Sequence, residues 1–92
     1  MHIKAYFDTG RIVVTSHAAD TLTDADITAG LARHVNCDWG ELESEDQAMN
    51  NAAVKSGEDR IFSAYKSESG AAFWVITEWD RSYTTVLLPE DY

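Results

Sequence analysis

What most constrains this chain lies in its last third, where residues 60–88 hold three short stretches of strand character separated by two turns. Residues 60–65 alternate between polar and apolar side chains, Ser67-Glu68-Ser69-Gly70 supplies turn chemistry, and residues 72–77 are nearly all apolar. Glu78-Trp79-Asp80-Arg81-Ser82 turns the chain again, and residues 84–88 run up to Pro89, the only proline. Alternation marks a strand with one wet face, whereas an unbroken apolar run marks one covered on both. The middle stretch is therefore expected at the centre of a sheet.

The first two thirds must supply what covers that sheet. Ile3-Lys4-Ala5-Tyr6-Phe7 alternates, Asp8-Thr9-Gly10 turns, and Arg11-Ile12-Val13-Val14-Thr15 is rich in β-branched residues, which together predict a hairpin. Thr23 with Asp26 three residues later approximates a capping box, and Ile27, Leu31 and Val35 follow as one helical stripe. Gly30 weakens that helix by roughly 1 kcal/mol relative to Ala unless a neighbour packs closely against it. Asn36 is expected to end it. Ser44 with Gln47 marks a second helix start, Ala48, Met49, Ala52 and Ala53 form a narrow apolar face, and Gly57 suits the position after its end. The order ββ-αα-βββ predicts one α+β domain over residues 1–92, an antiparallel sheet of about five strands with two helices on one face. Ile27, Leu31, Val35, Met49, Ala52, Phe62, Trp74 and Ile76 are the expected core.

Composition narrows the setting. With 92 residues the chain is too short to divide into several domains, and Cys37, its single cysteine, has no intramolecular partner. No apolar run approaches the roughly 20 residues of a membrane span, and Met1-His2-Ile3-Lys4 lacks the apolar core of a signal peptide. A cytoplasmic setting is expected. Sixteen acids against seven bases leave a formal charge of −9, which repels nucleic acid and anionic membranes alike. Hydrophobic residues make up 45% of the chain, enough to argue for a folded domain over a disordered acidic one.

Catalytic and metal-binding chemistry find little to work with. His34 and Cys37 have the spacing of half a zinc site, but His2 and His17 stand at no motif distance from them and no second cysteine exists. His34 near a helix C-terminus, its cation favoured by the dipole, is the simpler expectation. Cys37 sits among Asp38, Glu41 and Glu43, which disfavour a thiolate nucleophile. The pairs Glu45-Asp46 and Glu58-Asp59 resemble Mg²⁺-holding carboxylates only until their positions are considered. The first pair opens a helix, where acids stabilise the macrodipole, and the second lies in a turn. No catalytic residue, metal or cofactor is expected.

The acids themselves are unevenly placed. Residues 20–46 hold Asp20, Asp24, Asp26, Asp38, Glu41, Glu43, Glu45 and Asp46 against Arg33 alone, which is −7 of the −9. Asp24, Asp26, Glu45 and Asp46 fall in helix first turns, which leaves Asp20, Asp38, Glu41 and Glu43 without a folding role. Two interpretations remain: generic solubility charge, or a negative patch for an Arg/Lys-rich partner such as a groove that normally holds DNA phosphates. Trp39, within the acidic loop, suits either an interface anchor or a lid over the core. A general protein-interaction module and a small metal-dependent hydrolase are the competing functions.

A resemblance bears on the choice. Asp38-Trp39-Gly40, Glu45-Asp46, Asn50, Ala53, Gly57, Arg60 and Ser63-Ala64-Tyr65 carry its first part. Residues 74–82, Thr84-Thr85 and residues 87–92 carry the rest. Together they resemble a family of short proteins found on plasmids and phages and labelled "plasmid-related protein". The sequence departs from that pattern at Cys37, where a glycine would follow the helix. The resemblance implies a mobile-element origin, and the chain looks like an anti-CRISPR protein acting in a bacterial host. Such a protein would block DNA binding by a type I Cascade complex, type I-C being the subtype it suggests, through contact with a basic subunit.

Overall fold

Four of the five expected strands and both expected helices form where the pattern places them, while among the described residues the N-terminal hairpin does not. The computed structural model describes residues 5–92. Its elements are β1 (Arg11–Val14), α1 (Ser16–Thr21), α2 (Asp24–Val35), α3 (Ser44–Ser56), β2 (Ile61–Lys66), β3 (Ala72–Thr77), β4 (Tyr83–Leu87) and a 3-10 turn at Pro89–Asp91. The strands form one mixed sheet in the order β1-β4-β3-β2. β2, β3 and β4 are an antiparallel meander, with Ile61 opposite Thr77 and Val75 opposite Val86. The fold is α+β.

The expected hairpin is corrected by what residues 5–15 do instead. Ile3 and Lys4 lie outside the described residues, and residues 5–10 form no strand. The Tyr6 N–H bonds to the Val35 carbonyl, and Phe7 packs against the His34 and Trp39 rings. The apolar character of this segment therefore serves the end of α2, not a strand partner. β1 pairs in parallel with β4, Arg11 beside Tyr83, so the sheet has four described strands and one parallel pair. Gly10 permits the approach: its φ is +61°, and a β-carbon there would come within 2.3 Å of the Ser82 carbonyl oxygen.

The two faces of the sheet have different covers. On one face, Phe73, Val75, Tyr65 and Val86 pack with Ala18 and Leu22, with Ile27 and Leu31 of α2 alongside. Gly30 is buried under Phe73, whose ring would stand 2.7 Å from an added β-carbon, which is why a glycine occupies this helix. α1 was absent from the expected elements; its start is signalled only by Thr15, whose hydroxyl accepts the Ala18 N–H. The capping box at the start of α2 forms as expected, with Thr23 and Asp26 exchanging bonds.

α3 departs from expectation in its cap and in its buried side. Glu43, not Ser44, is the N-cap residue, and it makes no side-chain capping bond. Gln47 instead donates to the Leu42 carbonyl. Met49 is 70% exposed and Ala48 and Ala52 are exposed, while Asn50 and Ala53 are buried. The reason lies in the sheet. α3 runs beside the outer edge of β2, where Asn50 donates to the Phe62 carbonyl (2.6 Å) and accepts the Phe62 N–H (3.1 Å). Two residues further along, the Ala64 N–H bonds to the Trp39 carbonyl and its own carbonyl accepts from the Glu41 N–H. An amide side chain and a loop thus act as the missing neighbour strand, satisfying edge groups that otherwise invite pairing with another chain. Of the expected core, Ile76 is buried and Ile27, Leu31, Val35, Phe62 and Trp74 are half-buried.

Candidate binding surface

Seven of the eight acids in residues 20–46 are exposed, Asp26 being half-buried. They do not form one patch. Asp24 and Asp26 open α2, while Asp38 and Glu41 lie past its other end, and twelve helical residues separate the two sets by about 18 Å. That exceeds the Debye length of about 8 Å at physiological salt, so each end is a distinct electrostatic feature. Asp20, Asp24 and Asp26 make the first, joined by the β2–β3 turn, whose Glu68 N–H bonds to Asp26 at 3.2 Å. Asp38, Glu41, Glu43, Glu45 and Asp46 make the second, along the loop and first turn of α3.

Two of these carboxylates accept hydrogen bonds that hold the fold. The N–H groups of Thr23, then of Glu68, hold the Asp26 carboxyl below its usual value. Asp38 corrects the expectation that it is free: Arg33 grips it through two nitrogens at 2.7 and 3.2 Å, and Gly40 N–H adds a third bond. The Arg33 hydrogen bond is the main cause of a lowered Asp38 pKa. Arg33 also lies 4.6 Å from the centre of the Tyr65 ring, whose hydroxyl donates to the Asp38 carbonyl. Cys37 takes the left-handed conformation there (φ 62°), the geometry for which glycine is the usual choice. Its thiol pKa is pushed up by burial.

Two of the bases are committed elsewhere. Arg81 directs its guanidinium at the carbonyls of Ala53, Asp59 and Trp79, clamping the C-terminus of α3 to two turns. Arg60 bonds the Tyr92 hydroxyl. Among the described residues only Asp38, with Arg33, and Asp91, with His17, stand within salt-bridge distance of a base. Glu41, Glu43, Glu45 and Asp46 have no such neighbour. Trp39 is 3% exposed, its indole N–H bonded to Asn51 and its ring beside Phe7 and His34. It lies as a lid over the core.

Two further features escaped sequence reasoning. The first is a buried polar chain. His34, fully enclosed, sits 2.6 Å from Ser63 Oγ through Nδ1 and 2.9 Å from Thr77 Oγ1 through Nε2. Thr77 contacts Thr84, which donates to the Thr9 carbonyl. A carbonyl only accepts, so the proton order runs from Ser63 to Nδ1, from Nε2–H to Thr77, and on to Thr84. Burial lowers the imidazole pKa to about 3, so the ring is neutral, contrary to the expected cation at a helix end. Among the described residues no three of His, Cys, Asp and Glu converge as a metal site.

The second feature is a cleft of about 620 Å³ on the sheet face that α1 and α2 leave open. Phe62 and Trp74 form its floor, Met49 and Ala52 of α3 one wall, and Leu42 and Tyr92 its ends. Ala52 and Met49 carried a helical apolar signal, but the signal does not say whether such a face meets the core or a cleft. No family model, curated protein or solved structure matches the chain. No helix among the described residues is long and apolar enough to cross a membrane.

Proposed function

We propose that this protein works by occupation and not by turnover, its acidic loop between α2 and α3 entering a basic groove that otherwise holds DNA. The carboxylates of Glu41, Glu43, Glu45 and Asp46 then stand where phosphates would. The observation that carries the proposal is that these four are exposed and that, among the described residues, no base stands within salt-bridge distance of them. Held close together by a loop pinned to β2, they repel one another, and an Arg/Lys-lined surface relieves that repulsion while steering the encounter. The resemblance to plasmid and phage proteins points to a nucleic-acid-binding protein of a bacterial host, a subunit of a type I Cascade complex, with the chain acting as an anti-CRISPR inhibitor in the host cytoplasm. In support of a non-catalytic role, Ser63 and His34 are sealed from solvent and the Cys37 thiol is held protonated.

The decisive experiment is competition for DNA. Purified type I-C Cascade and a labelled target duplex are mixed with the wild-type protein or with Glu41→Lys/Glu43→Lys, at low and at high salt. The expected result is displacement of DNA by the wild type, weakened by high salt, and a loss of at least about tenfold in the double variant. Asp38 is left unchanged because Arg33 needs it. A folded double variant that displaces DNA as well as the wild type removes the acidic loop from the mechanism.

A further inference from the structure

We infer that the cleft over Phe62 and Trp74 is a docking site for a basic amphipathic segment of a protein partner, one apolar anchor flanked by Lys or Arg. The inference deepens the function proposed above and rests on its premise that the partner is basic.

Three observations lead there. The walls are apolar and adaptable: Met49 is 70% exposed and Tyr92 71%, and both line the cleft although neither is buried by it. An exposed methionine and tyrosine in the lining and half-buried Phe62 and Trp74 beneath make a surface that wants covering. The size suits an anchor, since clefts of 300–1,000 Å³, roughly, enclose one ligand-sized group. Tyr92 stacks edge-on against Trp74, its centre 5.8 Å away, and divides the cleft from a smaller hollow of about 300 Å³ over Ile76 and Leu87.

Charge selects the occupant. Asp46 and Asp59 stand in the cleft lining and have no salt-bridge partner among the described residues. Arg60, the base beside them, is turned onto the Tyr92 hydroxyl. A second copy of this chain brings another −9 and is repelled, as is any anionic ligand. A cationic segment with an apolar side satisfies both the rim and the floor. Apolar grooves rimmed with acids take helical segments in this way, with anchors at i, i+3 or i+4 and i+7. Asp46 belongs both to this rim and to the acidic loop, so one partner can span the two.

The test uses three synthetic peptides of equal length: one of Leu and Lys in helical register, one of Lys with Ser in place of Leu, and one of Leu with Glu in place of Lys. Binding is titrated by calorimetry, and the Met49 methyl and Trp74 indole signals are followed by NMR. The Leu/Lys peptide is expected to bind most tightly and to shift both signals. Ala52→Trp, which fills the cleft from an exposed helix position, should weaken that peptide at least about tenfold and leave the Lys/Ser peptide unchanged. Met49→Ser should weaken it several-fold.

Equal binding of the Leu/Lys and Lys/Ser peptides, or an Ala52→Trp variant that binds Leu/Lys as well as the wild type, overturns the inference while leaving the acidic loop in place. Equal binding of the Leu/Glu peptide overturns it too, because charge then plays no part. Self-association of the wild type that Ala52→Trp abolishes assigns the cleft to a second copy, which also overturns it. Conversely, tight Leu/Lys binding with no loss in Glu41→Lys/Glu43→Lys supports the cleft and counts against the acidic loop.

Discussion

The two faces of the sheet divide the labour of this small domain. The face under α1 and α2 is closed: Phe73, Val75 and Val86 are 2% exposed or less, and its buried polar groups form one satisfied chain from Ser63 through His34 to Thr9. The opposite face carries comparably apolar residues, of which Ile76 and Leu87 are buried but Phe62 and Trp74 only half-buried, with the C-terminal turn, Tyr92 and one side of α3 beside them. The difference teaches where stability and binding reside. A closed face loses stability when altered, whereas an open one has contacts to spare for a partner.

Adjacent residues of β3 give the sharpest test of that division. Phe73 and Trp74 are neighbours on opposite faces. Phe73→Ala removes a buried ring from a closed core and is expected to cost about 3–5 kcal/mol in denaturant unfolding. Trp74→Ala removes a larger ring from a half-open site, and should cost well under that while abolishing the cleft's binding. Equal losses in the two variants would mean that the open face is as structural as the closed one.

Acid should break the closed face next. Neutral His34 has a folded pKa of about 3 against an ordinary value of 6.5. The unfolded chain therefore binds the extra proton between those values. Its contribution is fully present above pH 6.5 and is lost progressively as pH falls toward 3, on the order of 5 kcal/mol in all. His34→Gln should lower stability at neutral pH but flatten the dependence between pH 6 and 4, roughly the window in which only the wild type loses ground. An unchanged slope in the variant would show that other groups carry the acid sensitivity.

The edge of β2 comes third. Asn50→Ala leaves the N–H and carbonyl of Phe62 unpaired beside α3, a loss of about 1–3 kcal/mol. Amide exchange of Phe62 should accelerate in the variant, and Asn50→Asp, which keeps the acceptor but not the donor, should recover protection of that N–H in part.

How much of this was legible follows from the range over which each signal acts. The stripe Ile27–Leu31–Val35, the capping box at Thr23 and the unbroken run at β3 are local, and all three led to the right element. β1 was placed but given the wrong partner, because a parallel pair between residues 11–14 and 83–86 leaves no trace in neighbouring residues. α3 is recognised but rotated: of its apolar face Ala53 is buried as expected, while Ala48, Met49 and Ala52 turn outward and the edge of β2 selects Asn50. Sequence spacing likewise drew one acidic patch where α2 holds two ends apart. His34 could not be read as neutral, since the hydroxyls that enclose it come from Ser63 and Thr77, far along the chain.

The smallest expected effect on stability separates the two acidic ends of α2. Asp20 and Asp24 flank its start, and Asp24 occupies the first turn, where a carboxylate favours the helix by about 0.3–1 kcal/mol. Glu41 and Glu43 flank the loop beyond its end, and neither accepts a side-chain hydrogen bond from a described residue that would be lost on substitution. Asp20→Lys/Asp24→Lys should therefore lower stability slightly, and Glu41→Lys/Glu43→Lys should lower it by no more than about 1 kcal/mol, through Glu43 at the N-cap of α3. For partner binding the order reverses. The ends stand about 18 Å apart, beyond electrostatic reach in physiological salt, so a partner seated on the α3 side feels Glu41 and Glu43 but scarcely Asp20 and Asp24. Reversal at Glu41 and Glu43 should slow association steeply and reduce its salt dependence, while reversal at Asp20 and Asp24 should leave the association rate nearly unchanged. Stopped-flow association at several salt concentrations measures both. Equal loss in the two variants would require a partner wide enough to cover the whole of α2, and the acidic surface would then be one site after all.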